Sequence, residues 1–333
     1  MIPRENRLMK RTILIAAVAA FGAGAAMAQN NVTIYGRINT TVERQDIGGE
    51  KTTALVNNAS RIGVTGTEDI GGGLKAHFVL EHGFDSDTGA QTSSPSSRYP
   101  QGQFWNREAT VGLSGGFGTV RLGQMPSSEA YFAIADYVSL HNHDTGTSAD
   151  ALYLPTALVF GGLDSTVAYT SPSFGGATFA IQYGLKENSK VDSPISIAAN
   201  YDRDALHLGL GFEDFDGLQS LAVRALYEFG ALTVGGYYER NSGSSAALGV
   251  SSLDRDNFRL AAMYVMGSSE FHANMGVAGD VGDVPDTGQK QFTLAYNYNL
   301  SKRTKLYAFY TKIDTDVSGA DFSSIATGVR HNF

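Results

Sequence analysis

Three arginines and a run of acids are the residues of this chain that could do chemistry together. Arg37, Arg61 and Arg121 occupy polar positions of alternating segments. Glu129, Asp136, Asp144, Asp150 and Asp164 follow in one stretch, and no Lys or Arg occurs from Leu122 to Leu185. Guanidinium groups facing carboxylates across a narrow gap orient dipolar solutes and set ion preference. Other chemistries find less support. There is no Cys, which excludes disulfides and thiolate metal sites. His141-Asn142-His143-Asp144 offers metal-ligating side chains, but in so polar a stretch it reads more simply as a loop tip. Seven His and abundant Ser are present, yet no local nucleophile motif accompanies them, and a hydrolytic triad needs more than a count. Gly71-Gly72-Gly73 and Gly115-Gly116 lead into no helix, so they read as turns and not as phosphate loops.

The elements that would position these groups are strands. Val32, Ile34, Gly36 and Ile38 alternate with Thr33, Tyr35, Arg37 and Asn39, and Phe292, Leu294, Tyr296, Tyr298 and Leu300 alternate with polar or small residues. Period two is the strand signal. About sixteen such runs, the number of a mid-sized outer-membrane barrel, begin near Val32, Ser60, Leu74, Trp105, Thr119, Ser165, Ala177, Ile195, Ala205, Ser220, Ala231, Arg255, Glu270, Gln289, Thr304 and Ser324. Short links such as Asp69–Gly73, Gly115–Gly118 and Ser301–Arg303 alternate with long polar ones at Arg44–Ala59, Asp85–Gln103, Gln124–Asp164 and Asn241–Asp254. That rhythm predicts an all-β fold, a transmembrane antiparallel barrel with short periplasmic turns and longer outer loops. Tyr and Phe recur at strand ends, as in an interfacial girdle. The polar face carries Arg37, Glu43, Arg61, Glu81, Arg121 and Arg259 among others, too many charges for a dry core. A barrel of this size holds a water-filled channel.

The N-terminal residues are expected to be a signal peptide, residues 1–28. Arg4, Arg7, Lys10 and Arg11 precede an apolar run from Ile13 to Phe21, and Ala26-Met27-Ala28 fits the cleavage pattern. Met1 and Met9 are both reasonable initiators. Removing 28 residues with their four bases and one acid from 333 leaves 305, with 21 Lys+Arg against 32 Asp+Glu, a net −11. Such acidity argues against nucleic-acid partners. No linker or composition break divides residues 29–333, which read as one barrel domain.

Several segments resemble the general porins of Gram-negative bacteria, of the β-proteobacterial type. They are Ser60-Arg61-Ile62-Gly63-Val64-Thr65-Gly66-Thr67-Glu68-Asp69, Val111-Gly112-Leu113-Ser114-Gly115-Gly116-Phe117-Gly118-Thr119-Val120-Arg121-Leu122-Gly123, Tyr169-Thr170-Ser171-Pro172, Tyr298-Asn299-Leu300-Ser301 and Gly328-Val329-Arg330-His331-Asn332-Phe333. The resemblance implies a sixteen-stranded barrel in a homotrimer, with the third outer loop, Gln124–Asp164, folded inward as a constriction. It places Arg37, Arg61 and Arg121 on the basic wall and makes Phe333 a signal for the barrel-assembly machinery. It also implies outer-membrane lipid and lipopolysaccharide as surroundings, and ions and small solutes as cargo. Two departures stand out: Gln124 replaces an Arg, and Gly161-Gly162-Leu163-Asp164 replaces a stretch that commonly holds an Arg and an Asn.

The expectation is therefore passive diffusion through a pore with weak cation preference, without catalysis, cofactor or metal. A substrate-selective channel using Tyr131, Phe132 and Tyr137 is the nearest alternative; an outer-membrane enzyme or an adhesive barrel is more remote.

Overall fold

The computed structural model describes residues 31–92, 103–138, 152, 163–185 and 192–333. Seventeen strands form one sheet. In chain order they are β1 (Asn31–Ile47), β2 (Glu50–Asn57), β3 (Arg61–Gly71), β4 (Leu74–Gly83), β5 (Glu108–Gly115), β6 (Gly118–Met125), β7 (Leu163–Thr170), β8 (Ala177–Gly184) and β9 (Ile195–Arg203). There follow β10 (Leu206–Phe215), β11 (Leu218–Phe229), β12 (Leu232–Gly243), β13 (Arg255–Met266), β14 (Ser269–Ala278), β15 (Gln289–Asn299), β16 (Thr304–Thr315) and β17 (Phe322–Asn332). A helix, α1 (Glu129–Val138), lies between β6 and β7. From β3 on, each strand pairs antiparallel with the next, and β1 pairs with β17 from Arg37↔Asn332 to Ile47↔Phe322, closing the ring. β2 and β3 pair with successive halves of β1, so they are one wall strand broken at Asn58–Ser60, and the 17 segments make 16 staves. Closure removes every sheet edge, the condition for crossing lipid with strands.

The burial pattern is inverted relative to a water-soluble sandwich. On β1 the apolar face looks outward, with Val32 62% and Ile34 66% exposed, while Asn39 and Glu43 are fully buried. The same alternation runs round the wall: Phe258 and Leu260 point outward and Arg259 inward. An outer apolar band around a polar interior is what a bilayer selects. Among the described residues no helix is long and apolar enough to cross a membrane.

The strand starts read from the sequence hold to within a few residues, with one clear correction. Arg44–Ala59 is not a long loop. β1 continues to Ile47, turns at Gly48-Gly49, and returns as β2. Both glycines have positive φ, 58° and 96°, the geometry of a two-residue hairpin turn whose twist matches its strands. The β-branched and apolar run Thr52-Thr53-Ala54-Leu55-Val56 then supplies strand residues that outweigh the charges beside them. The break before β3 is locked from within. Ser60 Oγ accepts the Asn39 N–H at 3.0 Å, and Ala59 takes φ 55°. On the outer side β10 and β11 are likewise joined by only Asp216-Gly217, so outer connections are not uniformly long. The expected signal peptide lies outside the described residues.

Candidate functional site

The interior feature that departs most from a plain barrel is α1, which packs against the inner wall of β8–β13. Its start is fixed by caps. Ser128 Oγ accepts the Tyr131 N–H at 3.0 Å, the bond of an N-cap serine. The first helical N–H groups have no partner within a helix, and here the wall satisfies them. Glu129 N–H donates to Gln182 Oε1 at 3.1 Å, and Ala130 N–H donates to Ser196 Oγ at 3.0 Å. Gln182 Nε2 in turn donates to the Ser127 carbonyl at 3.2 Å.

The wall under the helix is shaped by small residues. Ala180, Ala198, Ala222 and Ala261 pack against Tyr131 and Ala133 in one buried cluster, with Phe132 at its edge. On β10, Gly209 and Gly211 face the helix. A Cβ on Gly211 would stand 2.7 Å from the Ala130 carbonyl oxygen, and one on Gly209 would overlap the Ala133 carbonyl. Further round, fully buried Leu152 sits against Gly276 of β14. α1, like Leu152, therefore lies inside the barrel along its inner surface. Tyr131 and Phe132 pack it in place.

A charged strip runs along the wall of β1, β3–β6 and β17. Arg37 and Arg61 are register partners, and Arg37 Nε donates to Asn332 Oδ1 at 3.1 Å. Glu81 on β4 is the common acceptor. Arg107 Nε lies 2.5 Å from its carboxylate, Arg61 Nε 4.0 Å, and Tyr35 Oη donates to it at 2.9 Å. Next to it in register stands Glu108. Arg121 links this strip to the helix, with Nη2 2.8 Å from Glu129 and Nη1 3.7 Å from Glu108. Burial pushes the Glu129 carboxyl above its ordinary pKa, and Arg121 offsets that only in part. Carboxylates stand within 4.0 Å of Arg61, Arg107 and Arg121, so the net field of the strip is smaller than the number of arginines suggests.

Of the residues singled out by sequence, Arg37, Arg61, Arg121 and Glu129 fall on this strip. Asp136 and Tyr137 lie on α1. Asp144 and Asp150, together with His141-Asn142-His143-Asp144, lie outside the described residues. Asp164 is exposed at the start of β7. No group of three or more metal-ligating side chains is found among the described residues. Phe333 closes the seam. Its N–H donates to the Gly36 carbonyl at 3.1 Å, Gly36 N–H donates back at 3.1 Å, and its ring covers Gly36. Sequence reasoning missed Arg107, Glu108 and Tyr35 as members of the strip. Arg107 precedes its strand, where alternation does not assign a face. Placing Glu108 beside Glu81 would have revealed the pair.

The comparisons with known proteins agree with this geometry. Residues 15–318 match a family model described as Gram-negative porin. The outer membrane porin protein 32 of Delftia acidovorans is 28% identical, with 96% of this chain and 95% of that protein covered. The solved anion-selective porin from Comamonas acidovorans superposes with a TM-score of 0.77 at 23% identity, covering 92% of this chain and all of that one. The solved trimer form of OmpT, an outer membrane protein of Vibrio cholerae, gives 0.67 at 15% identity, covering 91% and 99%.

Proposed function

This chain belongs to the Gram-negative porin family and is an outer-membrane channel, not an enzyme; from that premise we propose that it passes ions and small hydrophilic solutes by passive diffusion, with a weak cation preference. The observation that carries the reading is the cross-section at α1. A capped helix is fastened to one side of a polar lumen, and a strip of mutually paired charges lies on the other. A solute passing between them meets fixed dipoles and charges of both signs, which favours small polar molecules over apolar ones.

The preference is weak because the bases of the strip have acids beside them: Glu81 for Arg61 and Arg107, and Glu108 with Glu129 for Arg121. Its cationic sign is supported by the outer mouth. Asp46 and Glu50, Asp214 and Asp216, Asp280, Asp283 and Asp286, and Asp314, Asp316 and Asp321 flank or fill the outer connections. Lys51, Arg240 and Lys312, at the same end, each lie within 4 Å of an aspartate. An acidic mouth concentrates cations ahead of the constriction. Arg37 beside Arg61 favours the opposite sign, and the Comamonas protein is described as anion-selective, so selectivity is the informative measurement.

Three barrels assemble in this reading, as the Vibrio protein does in its trimer form. Phe333 acts as the signal for the assembly machinery, lipopolysaccharide surrounds the outer half, and residues 1–28 are removed on export. Planar-bilayer recording across a KCl gradient tests the proposal. Ohmic steps that close in thirds with a cation-selective reversal potential support it. An anion-selective potential means that the wall arginines outweigh the mouth acids, and absence of conductance from folded protein overturns the pore itself.

A further inference from the structure

The lipid-facing wall is not uniformly ridged. Across β13–β16 three alanines on the outer face, Ala262, Ala273 and Ala308, leave a groove of about 600 Å3 flanked by Tyr264, Tyr296 and Tyr310. Register explains it. Ala262 pairs with Ala273 across β13 and β14, and Ala308 pairs with Tyr296 across β15 and β16, so missing side chains adjoin large ones on the same face. The groove is almost wholly apolar, and its aromatic walls are held in place: the Phe271 and Tyr296 rings lie 5.2 Å apart, and the Tyr296 hydroxyl is 3.0 Å from Ser269 Oγ, at the turn between β13 and β14. That hydroxyl marks the water interface on the periplasmic side, where amphipathic rings settle. The groove therefore rises from the interface into the periplasmic leaflet.

Charge at its foot is asymmetric. The periplasmic turns Gly230-Ala231 and Gly267-Ser268 carry none, whereas the turn of β15 and β16 presents exposed Lys302 and Arg303. Ser301 Oγ accepts the N–H groups of Arg303 and Thr304 at 3.1 and 3.0 Å, which fixes the turn under the groove. We propose that this groove holds an acyl chain of an anionic phospholipid of the periplasmic leaflet, whose phosphate is bound by Lys302 and Arg303. Small residues at the floor admit the chain close to the sheet, and tyrosine faces enclose it. The two cations at the foot select the headgroup, as basic pockets at membrane surfaces do.

The test uses the intact assembled protein in nanodiscs containing equal phosphatidylglycerol and phosphatidylcholine, with retained lipid counted by native mass spectrometry after detergent release. The protein should retain phosphatidylglycerol over phosphatidylcholine. The double substitution Lys302→Gln/Arg303→Gln should abolish that discrimination, and Ala308→Leu, which fills the groove, should reduce retained lipid at least fivefold. Single-channel conductance of each variant reports that the barrel has folded, since none of these residues faces the lumen. Equal retention by Ala308→Leu and the unaltered protein overturns the proposal. Dissociation of the assembly by Ala308→Leu also overturns it, because the groove is then a contact between copies of this chain.

Discussion

At the scale of the residue, Glu129 is the group whose titration reports on the constriction. It is held by Arg121, yet burial lifts its pKa above the ordinary carboxylate value. A raised pKa means that the charge is lost earlier as pH falls, so Glu129 is neutralised while exposed carboxylates are still ionised. Arg121 then loses the nearer of its two carboxylate partners, Glu108 standing 3.7 Å away. Reversal potentials followed downward from neutral pH should move toward anion preference before the range in which ordinary carboxylates titrate is reached. Glu129→Gln should produce that shift already at neutral pH and flatten the further change on acidification. An unchanged pH profile in Glu129→Gln would assign the titration to other acids. The strip was partly legible in the sequence. Arg37, Arg61 and Arg121 fall at inward parities of clean period-two runs, and all three side chains reach the strip. Arg107 and Glu108 are adjacent in sequence yet both reach the strip, because the backbone has not yet entered the sheet at Arg107.

At the scale of the element, α1 exists because a wall was built for it. An isolated helix of ten residues is marginal in water, and its acidic first turn gives it little more than a favourable dipole interaction. Beyond the N-cap of Ser128, Gln182 and Ser196 accept the first helical N–H groups, and Gly209 with Gly211 supplies the space. None of these four wall residues is near the helix in sequence, which is why the stretch after Gln124 reads as loop until the barrel is assembled around it. Gly211→Val puts side-chain atoms where the Ala130 backbone lies. Overpacking of this kind costs about 1–3 kcal/mol, and the helix has only the lumen to move into. Lower single-channel conductance with normal assembly is expected. Unchanged conductance would mean that the helix does not bound the open path. The β1–β2 hairpin was missed for a different reason. Its charged residues resemble an outer loop, but Gly48-Gly49 and the threonines beyond it outweigh that composition once β17 lies alongside to pair.

At the scale of the molecule, the barrel was readable almost stave by stave, because a lipid exterior and a wet interior impose strict alternation on every strand. What the sequence shows less well is the balance of charge, since pairing depends on which staves are neighbours. The outer mouth is acidic and the strip inside is compensated, so the overall preference rests on long-range fields that salt screens. The cation permeability ratio should therefore fall between 0.1 M and 1 M KCl, as the screening length shrinks from about 10 Å to about 3 Å. A ratio independent of salt would place the selectivity in direct contacts at the constriction instead.

The seam between β1 and β17 has a kinetic meaning as well. Arg37 bonds Asn332 across 295 positions, and Gly36 is matched by Phe333. A chain threaded through the cell envelope from its N-terminus presents β1 long before its partner arrives. Until then the growing sheet is an open curl with two unsatisfied rims, each a template for pairing with other chains, and so large a contact order slows closure. Until its own tail zips the cylinder shut, the chain is exposed to pairing with other copies, and the C-terminal strand sets when that exposure ends.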